Sequence, residues 1–240
     1  MNSFFASICV AASLCGAGIG QTLTAPAAVA PVASAATPGT PAAAAPAVVT
    51  GAAARVWAAS VRPSTREVEK GLPNFGKLNA AVWRSGAPRA EGYARLAEIG
   101  VKTVVNLQKE NPSEKDRVPA GVNYVYIPIT DEHAPTKEQA QQFLDVVADP
   151  ANWPVLVHCH AGEGRAGLMC ALVRHSFDGW DDKMIMNEVD NFHVTHFALF
   201  KGKMNGSQRH FLLDWEAQCK PGSYKEKVGQ VVTASATTSH

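Results

Sequence analysis

The chain has 240 residues, and its 22 Lys and Arg against 21 Asp and Glu leave a formal net charge of +1. Such a balance excludes a chain that grips nucleic acid by bulk charge, and no nucleic-acid partner is read from it. The five cysteines include Cys9 and Cys15 in the first segment, and the three beyond it exclude a disulfide framework.

In chain order, an apolar run from Phe4 to Ile19 comes first. It is too short and too rich in small residues for a membrane span, and residues 1–20 read as a signal peptide. Gly18-Ile19-Gly20 and Ala33-Ser34-Ala35 both offer small-x-small cleavage patterns. The expectation is a secreted or periplasmic protein without a stable membrane anchor. The absence of Lys or Arg before the run keeps a cytoplasmic protein as the alternative. Residues 21–55 are mostly Ala, Pro, Val, Thr and Gly and read as a disordered linker. Residues 56–220 are enough for one substantial core, and residues 221–240 read as a second disordered tail.

Within the domain, Val82-Trp83 reads as a short strand before a Gly-Ala-Pro turn. Glu91 to Ile99 has apolar residues at helical spacing, with Gly100 as its stop. Val101–Leu107 reads as a buried strand, residues 109–120 as a charged loop and Val122–Ile129 as another strand. Thr136 and Gln139 form a capping box that starts a helix running to Ala148. Pro154–His158 is the central strand. Helices follow over 166–177, 181–192 and 207–218. Strands alternating with helices predict an α/β fold: one domain, a central and mostly parallel sheet, helices on both faces.

The segment His158-Cys159-His160-Ala161-Gly162-Glu163-Gly164-Arg165-Ala166-Gly167 joins that strand to the next helix. Such a loop can turn its N–H groups around an anion, and the helix start adds its positive end. A thiolate at its base is a nucleophile, and a guanidinium at its far edge holds two phosphoryl oxygens. Cys159 supplies the sulfur. His160, Ala161, Gly162, Glu163, Gly164 and Arg165 form the phosphate cradle, with Gly162 and Gly164 expected to take left-handed turns. His158 supports the loop. Cys170 falls on an apolar helix face and reads as core.

The loop resembles the signature of cysteine-dependent protein tyrosine and dual-specificity phosphatases. Asn74-Phe75, Trp83-Arg84-Ser85-Gly86-Ala87-Pro88 and Leu96–Leu107 resemble small atypical members of that family. The loop also fits that of cysteine phytases. The resemblance implies an aspartate as general acid on the loop Thr130-Asp131-Glu132-His133-Ala134-Pro135. Asp131 matches best, and Glu132 and His133 stay as rivals. It implies phosphate-monoester hydrolysis through a phosphocysteine, with no metal and no cofactor, by a monomer acting on phosphorylated proteins or small phosphate esters. It also exposes two departures. Relatives usually place Ser or Thr where Ala166 stands, and many place arginine where Gln108 stands.

Three alternatives stay open. Inositol polyphosphates need cations at the mouth, which Lys137, Lys201, Lys203 and Arg209 supply only if they converge. The loss of a hydroxyl at Ala166 suits a slow phosphate-binding pseudophosphatase. A rhodanese-type sulfur transferase also has a basal cysteine, but lacks the Asp131 loop. His193 and His196 lack the further ligands a metal site needs, and Arg84-Ser85 reads as a tie between strand and loop.

Overall fold

Val82–Ser85, Thr103–Gln108 and Val155–His158 are buried at every position. A strand achieves that only inside a sheet covered on both faces. The computed structural model describes residues 55–57, 62–194 and 204–228. The leader at 1–20, the linker up to residue 54, His196, Lys201, Lys203 and the tail from 229 lie outside the described residues.

One six-stranded sheet has the order β1-β2-β3-β6-β4-β5. Its strands are β1 Glu67–Glu69, β2 Leu72–Lys77, β3 Val82–Ser85, β4 Thr103–Gln108, β5 Asn123–Ile129 and β6 Val155–His158. The β3-β6-β4-β5 pairings are parallel, and β1 and β2 extend one edge antiparallel. This matches the expected mostly parallel α/β sheet. The antiparallel edge was not legible in the sequence. β1 is largely exposed and gives no burial period. β2 contains Pro73, and Asn74 at φ 52°, which interrupt any strand pattern.

The helices are α1 Ala90–Arg95, α2 Lys137–Ala148, α3 Gly164–Val173, α4 Asp182–Asn191 and α5 Gly206–Gln218. The period of two along each central strand assigns them to faces. Trp83, Val104 and Leu156 pack with Tyr93 and Leu96 around α1. Val82, Val105, Val155 and Val157 pack on the other face with Phe143, Leu168, Leu172 and Trp215 of α2, α3 and α5. The capping box of α2 is formed, with Thr136 Oγ1 accepting from Gln139 N at 3.2 Å. α1 is shorter than its pattern implied, because the chain leaves the helix at Leu96 to reach Val101.

Composition places the end of the domain at residue 220, yet Tyr224 and Val228 are buried in the main core. Tyr224 lies beside Phe177, which also stacks on Trp57 at 4.5 Å. Trp57, in an Ala-rich stretch, and Tyr224, in a polar one, are thus held by one ring.

Beyond α3, Arg174 is fully buried with two carboxylates. Its Nη1 donates to Asp178 at 2.7 Å and its Nε to Glu188 at 3.0 Å. Burial penalises all three charges, so the cation is needed to hold the two anions. Arg174→Met is expected to cost ~3–5 kcal/mol, because it strands two buried carboxylates. Denaturant unfolding checks this, and adding Asp178→Asn and Glu188→Gln should recover part of the loss. A loss under about 1 kcal/mol would contradict it.

Candidate active site

In the parallel register, Ser85 on β3 and Asn106 on β4 both lie opposite His158 on β6. β3 and β6 therefore end at one level, β4 runs two residues further, and Cys159 is the first residue beyond β6. That crevice is where open α/β sheets place ligands. Cys159 is 2% exposed. It shares the lining of a cavity of about 480 Å³ with Asp131, Glu132, His160, Gly164 and Gln208.

The loop's carbonyls are held away from this cavity by neighbours. Ala87 N donates to His160 O at 2.9 Å. Asn74 Nδ2 donates to Ala161 O at 3.1 Å and Gly162 O at 3.3 Å. Arg84 Nη2 donates to Gly162 O at 2.6 Å. In a trans peptide the N–H lies opposite the carbonyl. Pinning the carbonyls of residues 160, 161 and 162 outward therefore turns the N–H groups of Ala161, Gly162 and Glu163 the other way. This is the physical basis of the anion cradle. The Arg84 tie expected from sequence is present, and its guanidinium lies 4.0 Å above the Phe192 ring.

Gly162 takes the left-handed conformation expected of it, at φ +74°. A Cβ there would also meet Gly86 N at 2.6 Å. Gly164 does not take it: it is the first residue of α3 with ordinary backbone. A Cβ there would come within 2.8 Å of Gln208 Oε1, so the Gln208 side chain would have to shift.

Arg165 is 1% exposed. Its Nη1 and Nη2 donate to the two oxygens of Glu110 at 2.9 and 2.8 Å, a bidentate pair. Nη1 also donates to Ile129 O at 3.0 Å. Nε lies 3.0 Å from Asp131 Oδ1 as an ion pair without hydrogen-bond alignment. Hydrogen bonds from Arg165 hold the Glu110 carboxyl down at about 2. With the folded value depressed, the pair's contribution is complete above the ordinary carboxylate range and is lost only as pH falls towards that value. Gln108 does not reach Arg165, but its Nε2 donates to Glu110 Oε1 at 3.3 Å.

Beneath the cradle, His158 Nε2 lies 2.8 Å from Glu114 Oε1, and both side chains are fully buried. Glu114 also accepts from Asn111 Nδ2 at 3.1 Å. Burial, with the Glu114 charge next, raises the Tyr93 phenol above its ordinary value. The charged loop expected over 109–120 thus contains a 3-10 turn, Pro112–Arg117, that delivers a buried carboxylate under the site.

Of the residues singled out in the sequence, Cys159, Arg165 and Asp131 meet at one place. Glu132 lines the cavity and His160 is exposed at its rim, while His133 lies outside the lining. Glu163 turns its carboxylate to His193 Nδ1 at 3.1 Å and Val194 N at 3.3 Å. Lys137 does not converge on the cavity: its Nζ donates to Gln218 at 2.6 Å. Arg209 pairs with Asp182 at 2.6 Å. Cys170 is a core thiol, and burial pushes it up to about 11. Glu110 and Glu114 carry no sequence signal, whereas Asn205 and Gln208 at the start of α5 have capping-box spacing that marks a helix start but not a site. Glu110 and Glu114 are two acids among several in a polar stretch.

Ala166 is fully buried and offers no hydroxyl beside Cys159. Ala166→Ser adds a single donor oxygen. If Cys159 carries a phosphoryl group and leaves it as a thiolate, that donor should speed breakdown of such an intermediate by roughly 10- to 100-fold, the value of a hydrogen bond to a charged group. Burst and steady-state rates measured together check this, and an unchanged second step would contradict it.

A family model described as DSP-PTPase phosphatase fused to NAD+ kinase matches residues 59–203. The dual specificity protein phosphatase TpbA of Pseudomonas aeruginosa is 30% identical over 136 residues, 55% of this chain and 57% of that protein. The chain thus spans less than two thirds of the length of this curated relative. The crystal structure of P. aeruginosa TpbA superposes with a TM-score of 0.51 at 22% identity, covering 70% of this chain and 98% of that one. The core catalytic domain of the PP-IP phosphatase SIW14 from Saccharomyces cerevisiae, in complex with citrate, gives 0.51 at 23% identity, covering 61% and 87%. These two superpositions establish the fold.

Proposed function

The chain belongs to the family described as DSP-PTPase phosphatase fused to NAD+ kinase, and on that premise we propose that it hydrolyses phosphate monoesters through a phosphocysteine at Cys159. The observation that carries this reading is the outward pinning of three consecutive loop carbonyls above a cysteine on a cavity floor. In the first step Cys159 Sγ attacks phosphorus. Two of the equatorial oxygens lie against the loop N–H groups and the Nε edge of Arg165 that Asp131 now faces. Asp131 gives its proton to the departing oxygen. In the second step Asp131 takes a proton from water, the water oxygen bonds to phosphorus, and the P–S bond breaks to return the thiolate and inorganic phosphate. Of the three candidates on its loop, Asp131 is favoured by position: it lines the cavity beside Arg165, at the contact an arriving phosphoryl group displaces.

The substrate we favour is a phosphorylated protein side chain. The cavity is edged by Asp131 and Glu132, and Glu163 also lines it with its carboxylate turned to His193 and Val194 N. Among the described residues, Lys137 and Arg209 are engaged elsewhere. That edge suits a single phosphoryl group better than a cluster of them. The likeness to SIW14, a PP-IP phosphatase, supports inositol phosphates as the second reading. Steady-state rates on p-nitrophenyl phosphate, a phosphotyrosine peptide, a phosphothreonine peptide and inositol hexakisphosphate test the order. We expect kcat/KM for the phosphotyrosine peptide to exceed that for inositol hexakisphosphate by about tenfold or more, roughly 1.4 kcal/mol. The reverse order would favour the second reading. Export by the apolar leader belongs to the same proposal, and an unprocessed N-terminus on the cellular protein would argue against it.

A further inference from the structure

The start of α5 lies across the cavity from the cradle, and the side chains of its N-cap Asn205 and of Ser207 and Gln208 turn to the loop that carries Asp131. Asn205 Nδ2 donates to the Asp131 carbonyl at 3.3 Å, and Gln208 Nε2 donates to the same oxygen at 3.2 Å. Ser207 Oγ accepts from Ala134 N at 3.1 Å. Gln208 is 1% exposed. The oxygens of the two amides are used within α5. Asn205 Oδ1 accepts from Gln208 N at 2.9 Å, and Gln208 Oε1 accepts from Asn205 N at 3.2 Å. Each amide therefore caps the helix with its oxygen and holds the acid loop with its nitrogen. The Gln208 oxygen also lies close to the cradle, since a Cβ added at Gly164 would come within 2.8 Å of it.

We infer that Asn205 and Gln208 are positioning residues that set the Asp131 carboxyl over the leaving oxygen. Two donors on one carbonyl fix the backbone of Asp131. Its side chain is otherwise 74% exposed and, among the described residues, has only its approach to Arg165 to orient it. A phosphoryl group arriving at Arg165 displaces that approach, so the orientation of the acid in the loaded enzyme falls to the carbonyl clamp. A misplacement of about 1 Å in such a group costs on the order of a hundredfold. The inference rests on Asp131 being the general acid.

The test uses the full chain with Asn205→Ser and Gln208→Met together. Serine keeps an N-cap acceptor, and methionine keeps the buried volume and neutrality. Thermal unfolding verifies that the pair folds. The readout is kcat/KM on two aryl esters: p-nitrophenyl phosphate, whose phenolate leaves without help, and phenyl phosphate, whose leaving oxygen needs a proton. We expect phenyl phosphate turnover to fall about 10- to 100-fold, and p-nitrophenyl phosphate turnover about threefold or less. In an Asp131→Asn background the pair should add nothing further. An equal loss on both esters, or no loss on either, overturns the inference, because a merely structural role does not distinguish leaving groups. If Asp131→Asn alone shows no leaving-group dependence, the acid lies elsewhere, and the assignment of Asp131 falls together with its clamp. If the variant does not fold, Asn205→Ser alone carries the same comparison with about half the donors removed.

Discussion

Cys159→Ser is expected to lower turnover of any phosphate ester by at least about a thousandfold, the scale on which deleting a covalent nucleophile acts. A serine hydroxyl at this position is neutral at pH 7, whereas a thiol ionises far more readily. The swap changes one atom in a buried position, so folding should persist. The cradle also persists, because its carbonyls are pinned by hydrogen bonds from Ala87, Asn74 and Arg84 that do not involve the sulfur. Phosphate-ester binding should therefore survive in a protein that no longer turns over. A variant that retains a tenth of wild-type turnover would contradict a covalent role for this sulfur.

Arg165→Lys should cost about 10²–10³ in kcat/KM, on the order of 3–4 kcal/mol, although the charge is kept. The side chain makes a fork: two nitrogens to Glu110, one of them also to Ile129 O, and the third edge toward the cavity. A lysine ammonium satisfies one of these directions at a time. It would either stay with Glu110, leaving the phosphoryl oxygens without their guanidinium, or leave that carboxylate unpaired. Because the planar fork matches the transition state more closely than the ground state, kcat should fall more than KM rises. A purely elevated KM would instead assign Arg165 to ground-state binding.

How much of this was readable in advance depends on how locally each part is encoded. Cys159 and Arg165 lie in one short loop between a buried strand and a helix, so seven residues carried them. The face assignment of Val104 against Val105 follows from alternation alone. Asp131 came with the family resemblance, since side-chain type did not separate it from Glu132 and His133. Glu110 and Glu114 were illegible for a different reason. They sit in a run that looks solvated, and only the return of β4 beside β6 brings that run under the cradle. Gly162 and Gly164 look alike in the sequence, yet one takes a positive φ and the other has ordinary backbone and faces a side chain 44 residues away. Tyr224 and Val228 stand in a polar stretch, and nothing local marks them as core.

The most direct test of the covalent route is to trap it. Full-length protein mixed with a radiolabelled phosphate ester, quenched within the first turnover and digested, should yield one labelled peptide, with the phosphoryl group on the sulfur of Cys159. The label should accumulate because Ala166 cannot assist its release. Turnover that proceeds with no phosphorylated protein at any quench time, or with the label on another side chain such as His160, would contradict the account.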